Sequence, residues 1–403
     1  MRRLGILGDV RLRTPAGLIR SLARCAPGAL SIGLVLLGGC GILRPDQAAG
    51  PAPATVATAP DPHAPRLPPL DARDVALAQG QELIGETQVL FTRYENTFPA
   101  IGREFDLGFD ELRAANAGVD PWLPGEATPV FLPTQTILPD APREGIVINV
   151  AALRLFYFTA ENGGAAAAKA PATRVTTHPV GIGAEGWATP IAEAKVTDKV
   201  RDPVWYVPAS VRKEHAGWGE KLPSVVPPGA DNPLGEYALT LSLPSYLIHG
   251  TNKPAGVGMR SSHGCIRLYP EDIEELFGRV ARGTHVRIVN QPVLAGWRDG
   301  ALYLEVHRPL AEETRDLNAE AERALAAARE RAGRAGAGEG EIDHALVSKI
   351  AAERRGVPFP VLRGGRSLEQ YLAAARIVEN KVPFDPAFSA REQAAPKVAT
   401  SSP

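Results

Sequence analysis

His249-Gly250-Thr251-Asn252, and then Ser262-His263-Gly264-Cys265-Ile266-Arg267-Leu268 with its cysteine sixteen positions beyond the first histidine, form the stretch on which the reading of this 403-residue chain turns. A free thiol, with a pKa of about 8.5, is only partly ionised at neutral pH, so a nearby imidazole is the usual means of activating it. Gly264, between His263 and Cys265, allows a tight turn that exposes the sulfur and aims backbone N–H groups at a carbonyl oxygen. Nucleophile, base and oxyanion donors are all available here. The chain has only eight histidines, and two of them stand beside this thiol; the others, including His178 before Pro179, read as surface or packing residues. A zinc site built from His249, His263 and Cys265 is chemically conceivable. The two-residue spacing of His263 and Cys265 is not that of a usual zinc-binding pair, and no second cysteine is at hand, so no metal and no cofactor is expected.

Outward from this stretch the pattern is β. Ile146, Ile148 and Val150 alternate with Val147 and Asn149, and Leu155, Tyr157 and Phe158 continue after a break. Residues 174–180, 194–200, 237–243, 246–248 and 285–289 are further strand candidates. Pro270 at a first helical position, with Glu271 and Asp272 in the first turn, starts a helix through Arg279. The expectation is a mainly β domain over 145–290, a mostly antiparallel sheet sandwich with one packed helix.

The quoted stretch, the glycine-bearing loop through Gly256 and Gly258, and the flanking residues 223–227, 231–235 and on to Phe277 resemble the L,D-transpeptidase (YkuD-type) catalytic domain, in particular Gram-negative periplasmic members with an N-terminal LysM-like module. The resemblance implies that Cys265 is the acylated nucleophile and His249 the proton donor and acceptor, oriented by the carbonyl of Gly250. It implies that His263 and Gly264 line the oxyanion hole with Cys265, and that Arg267 meets a substrate carboxylate, with Ser262 and Asn252 beside the substrate; Ser262 also reads, with slightly more support, as a plain turn residue. Thr189-Pro190 is followed by Ile191-Ala192, where the family usually has a glycine. The implied reaction is acyl transfer from a peptidoglycan tetrapeptide stem. The acceptor is an amine of another stem, a lysine of an envelope lipoprotein, a free amino acid, or water, which would make the same site a carboxypeptidase or amidase.

The N-terminal third reads as export, tether and module. An arginine-rich start and an uncharged stretch ending in Leu37-Gly38-Gly39-Cys40 resemble a lipoprotein signal, which implies a signal peptide over 1–39 and an acylated Cys40. Gly41 follows in place of the aspartate that retains many lipoproteins in the inner membrane, so the expected location is the periplasm, on a lipid anchor in the outer membrane. With Cys25 removed and Cys40 acylated, Cys265 is left as an unpaired thiol in an oxidising compartment. Residues 40–78 are a Pro/Ala-rich tether suited to polyproline II. In 79–134, Leu83-Ile84 begin a unit, Gly85-Glu86-Thr87 turn into a helix, 110–115 form a second, and Pro129-Val130-Phe131-Leu132 a closing strand. This order resembles a LysM module, whose family binds N-acetylglucosamine-containing glycans; an unrelated small packing domain fits the same pattern.

Residues 291–403 read as a helical extension with a disordered tail from Glu392, with helices at 311–337 (exposed), 343–354 and 367–379. They carry no catalytic constellation. Lys plus Arg (44) balance Asp plus Glu (45), so no global basic field speaks for nucleic acid. A wall-anchoring lipoprotein with an idle catalytic domain is the alternative of a different class. It gives no reason to keep Cys265.

Overall fold

The alternation that marks 145–150 sorts its side chains onto two faces. Ile146, Ile148 and Val150 join Leu155, Val180, Leu239, Ile248 and Ile266 in one apolar core. Val147 points the other way, to Phe156, Phe158, Val175, Ile84 and Leu138. In the computed structural model, which describes residues 65–71, 73–160, 174–334 and 340–384, this strand is central to a nine-stranded sheet. Its order is Asp74–Ala76, Arg174–Pro179, Arg154–Thr159, Gly145–Asn149, His285–Val289, Ala192–Arg201, Tyr237–Leu241, Leu247–His249 and Ile266–Arg267. Two pairings are parallel, Gly145–Asn149 with His285–Val289 and Leu247–His249 with Ile266–Arg267; the rest are antiparallel. The expected sandwich is therefore one continuous sheet, mostly antiparallel. The helix Pro270–Arg279 starts at its proline as expected and sinks Ile273 and Leu276 into the core. The expected signal peptide, Cys40, most of the tether and the tail from Glu392 lie outside the described residues.

The tether ends sooner than expected. Asp74–Ala76 is already the edge strand of the sheet, and Leu67 bridges to Val378. Gln88–Phe91 pairs antiparallel with Pro129–Leu132, with the helices Phe98–Phe105 and Phe109–Ala115 between them. The helix expected directly after Thr87 is thus a strand, because Val89, Leu90 and Phe91 are buried in its pairing. The first helix waits for Thr97, whose side chain caps Ala100 N–H. Leu90, Phe98, Ile101, Leu107, Leu112, Val130 and Leu132 form the module's core.

Residues beyond 290 are more than a helical extension. Val293–Arg298 and Ala301–Val306 form a hairpin extended by Phe359–Pro360. The helix Leu317–Arg334 is not exposed all round, since Ala321, Leu325 and Ala328 at helical spacing pack on that hairpin's Leu302 and Leu304. The helix His344–Glu353 agrees with expectation and is capped by Asp343. The last expected helix stops at Ala373; β-branched Ile377 and Val378 instead form a strand parallel to Gln88–Phe91, and Val378 and Val382 enter the N-terminal module's core.

Candidate active site

The parallel pairing of Leu247–His249 with Ile266–Arg267 builds the site. Ile248 lies opposite Ile266 and His249 opposite Arg267. Paired residues share a face and side chains alternate along each strand, so Ile248 and Ile266 enter the core. His249, Arg267 and, one step before the strand, Cys265 fall on the other face. The sheet register brings His249 and Arg267 side by side.

Cys265 is half-buried, and its Sγ lies 3.6 Å from the carbonyl oxygen of Ser245. Burial pushes the thiol above its ordinary pKa, with the Leu247 backbone N–H and the Arg267 charge partly offsetting this. His249 is 3% exposed, and its Nδ1 stands 2.7 Å from the Gly250 carbonyl oxygen. That acceptor requires a proton on Nδ1 and leaves Nε2 as the free base. Burial, reinforced by Arg267, pushes His249 down to about 4 against the pull of the Gly250 and Leu234 carbonyls. At neutral pH the pair therefore rests as thiol and neutral imidazole. The ring can take the thiol proton as the sulfur attacks, which is general-base catalysis and needs no preformed ion pair.

The turn before Cys265 is held from within. Gly264 has φ +104°, and a Cβ there would lie 3.1 Å from Tyr246 Cε1. Ser262 Oγ donates to the Cys265 carbonyl at 2.6 Å and accepts from Gly264 N–H at 3.2 Å. Ser262 is thus a turn clasp, 3% exposed, rather than a group that meets substrate. The Gly264 N–H is likewise engaged, so its expected share in the oxyanion hole does not fit this arrangement. Thr189 Oγ1 donates to the Gly264 carbonyl at 2.8 Å and accepts from Gly183 N–H at 3.0 Å. The loop without the family's usual glycine therefore reaches the catalytic turn through its threonine.

His263 Nε2 stands 2.9 Å from Glu214 Oε2, and its ring meets Trp187 edge-on at 4.8 Å. Glu214 sits on the helix Ala209–Gly217 and also accepts from Trp187 Nε1 at 3.3 Å. His263 thus ties the turn to this helix. Asn252 Nδ2 donates to the Ala230 carbonyl at 3.0 Å, so its amide holds two loops together. Arg267 is half-buried, with its Nε sealed and lacking a hydrogen-bond partner among the described residues. Burial lowers its pKa, and the neighbouring thiol opposes the shift. A cation in this state attracts an anion.

The N-terminal module reaches the loop between His249 and Cys265. Phe109 and Asp110 N–H groups donate to the carbonyls of Val257 and Gly258 at 3.2 and 3.1 Å. Gly258 comes so close to Gly108 that a Cβ on it would lie 2.1 Å from Gly108 Cα. Sequence reading missed this docking, together with Ser245, Thr189, Trp187 and Glu214. Only the Thr189-Pro190 pair carried a local signal.

Residues 143–288 match the model of the L,D-transpeptidase catalytic domain (YkuD). The chain is 42% identical over 245 residues to the probable L,D-transpeptidase YcfS of Escherichia coli (strain K12), covering 59% of this chain and 73% of that protein. It is 38% identical over 283 residues to the probable L,D-transpeptidase YbiS of the same strain, covering 69% and 88%. To the probable L,D-transpeptidase ErfK/SrfK of Salmonella typhimurium it is 38% identical over 246 residues, covering 60% and 76%. An NMR structure of the catalytic domain of an E. faecium L,D-transpeptidase aligns over 38% of this chain and all (100%) of that one, at 19% identity and a TM-score of 0.28, too slight a likeness to carry an argument.

Proposed function

The chain belongs to the L,D-transpeptidase family, and from that premise we propose that Cys265, activated by His249, transfers the acyl group of a peptidoglycan tetrapeptide stem to an amine. The register that sets His249 opposite Arg267, on the sheet face that Cys265 adjoins, is the observation that supports this reading. The Cys265 sulfur attacks the carbonyl of the third stem residue while His249 Nε2 takes the thiol proton. The tetrahedral adduct collapses, the bond to the terminal D-Ala breaks, and His249 returns the proton to the departing amine. A thioester remains. An acceptor amine attacks it, loses a proton to His249, and forms a new amide as the thiol is restored. Arg267, half-buried and charged, draws in a stem carboxylate. Another stem as acceptor gives a 3-3 cross-link, and a lysine of an envelope lipoprotein gives attachment to the wall.

The β-α-α-β order of residues 88–132 and their antiparallel closing pair support a LysM-like role in holding glycan. Exposed Trp122 and Leu123 beside the second helix offer a sugar-stacking surface. Export to the periplasm and acylation of Cys40 at the outer membrane complete the proposal; loss of labelled fatty acid in Cys40→Ala is the expected outcome, and label persisting there contradicts it. The reaction itself is tested by incubating the full chain with tetrapeptide muropeptides and reading products by mass. Dimers report cross-linking, D-amino-acid exchange reports acyl transfer to a small amine, and tripeptide alone reports hydrolysis. Intact tetrapeptide, with no D-Ala released, contradicts the proposal.

A further inference from the structure

Asp106, His178 and Asp272 converge from three parts of the chain. Asp106 ends the helix Phe98–Phe105 of the N-terminal module, His178 lies in the sheet strand Arg174–Pro179, and Asp272 is in the first turn of Pro270–Arg279. Their side chains are 1 to 4% exposed, and His178 Nδ1 lies 3.4 Å from Asp106 Oδ2 and 3.3 Å from Asp272 Oδ1. One ligating atom from each residue falls within 4.8 Å of the other two. Among the described residues, both Asp106 carboxylate oxygens, both His178 ring nitrogens and Asp272 Oδ2 are sealed from solvent without a hydrogen-bond partner. Each such atom costs about 1–3 kcal/mol, and more when charged, so a group of them at one point calls for an occupant.

The distances say which kind. A charge-assisted N–H···O bond measures about 2.7–2.9 Å, shorter than either His178 contact. A small cation bonded tetrahedrally at about 2.0–2.1 Å sets its ligand atoms about 3.3–3.4 Å apart. We propose that Asp106, His178 and Asp272 bind one divalent transition-metal cation, with Zn2+ the best fit, which clips the N-terminal module to the catalytic sheet and to the helix that follows the Cys265 strand. Two carboxylates, a neutral imidazole and a dication sum to zero charge. Arg154 adds positive charge nearby, but it is paired with Glu111 at 2.8 Å and its hydrogen bond to Asp106 runs to the backbone oxygen, not to the carboxylate. Mg2+ and Ca2+ take six or more mostly oxygen ligands, often water, whereas this sealed site offers an imidazole.

A proton is the competing occupant. Two carboxylates face the ring at 3.4 and 3.3 Å, so positive charge of either kind fits between them. The full chain, with Cys265 alkylated so that the thiol holds no metal, is exposed to Zn2+, dialysed and analysed for metal. Its melting temperature is read before and after a strong chelator. The expected result is about one zinc per chain, a Tm lower by about 5–10 °C when stripped and restored by Zn2+ but not Mg2+. Zinc X-ray absorption is expected to show oxygen and nitrogen ligands without sulfur. Asp106→Asn, or Asp272→Asn should the first not fold, is expected to lose stoichiometric zinc and the chelator response. A native chain that keeps no zinc and melts identically with and without chelator overturns the proposal and leaves a protonated His178 between the carboxylates.

Discussion

His249 and His178 are both buried, at 3% and 0% exposure, yet the first is pushed down to about 4 and the second up to about 10. Burial penalises the charged ring in both. What faces each ring decides the rest. His249 meets carbonyl oxygens and the charge of Arg267, so it stays a neutral base. His178 stands between two carboxylates, so its surroundings call for positive charge. The first ring faces carbonyls and a guanidinium, and the second faces carboxylates brought from two other segments.

The comparison breaks first at the thiol. Cys265→Ala is expected to lower acyl transfer about a thousandfold or more with an unchanged circular dichroism spectrum; activity equal to the parent would end the mechanism. His249→Gln is expected to lose about a hundredfold to ten-thousandfold, and alkylation of its Cys265 to slow at neutral pH and recover in alkali as the thiol ionises.

Stability against pH sharpens the difference. Between 6.5 and about 4 the unfolded chain binds a proton at His249 that the folded chain refuses. Stability therefore falls as pH drops through that window, by on the order of 3 kcal/mol from this one group. His249→Gln is expected to remove that component, seen as a shallower loss of Tm on acidification. A variant that tracks the parent from pH 6.5 to 4 would place the ring in a more polar setting.

Smaller effects follow in the turn. Gly264→Ala adds a Cβ at φ +104° against Tyr246, and is expected to cost about 1–3 kcal/mol in denaturant unfolding. Glu214→Gln keeps a hydrogen-bond acceptor for the half-buried His263 and is expected to cost less than about 1 kcal/mol, with a measurable change in kcat.

The catalytic stretch was legible because its chemistry is local in sequence, with His249, Gly250 and the 262–267 turn meeting through two adjacent strands. The β pattern of 145–150 was legible for the same reason, since alternation is a short-range signal. The His178 cluster was not. Thr177 and Pro179 say nothing about Asp106 or Asp272, which tertiary packing alone brings to the ring. Asn252 was recognised as part of the site but given a substrate contact, whereas its amide bonds the Ala230 backbone; Ser262, read as either a turn residue or a substrate contact, bonds the Cys265 and Gly264 backbone. The strand at 88–91 was hidden because its partners, at 129–132 and 376–378, are distant in sequence.

The most direct test is to trap the acyl-enzyme. The full chain is mixed with a disaccharide-tetrapeptide, quenched in acid and digested, and each peptide is weighed. The expected result is a hydroxylamine-sensitive adduct of the stem lacking its terminal D-Ala, on the peptide containing Cys265 and absent from Cys265→Ala. An adduct on another residue, or D-Ala released by Cys265→Ala at the parent rate, would contradict Cys265 as the nucleophile.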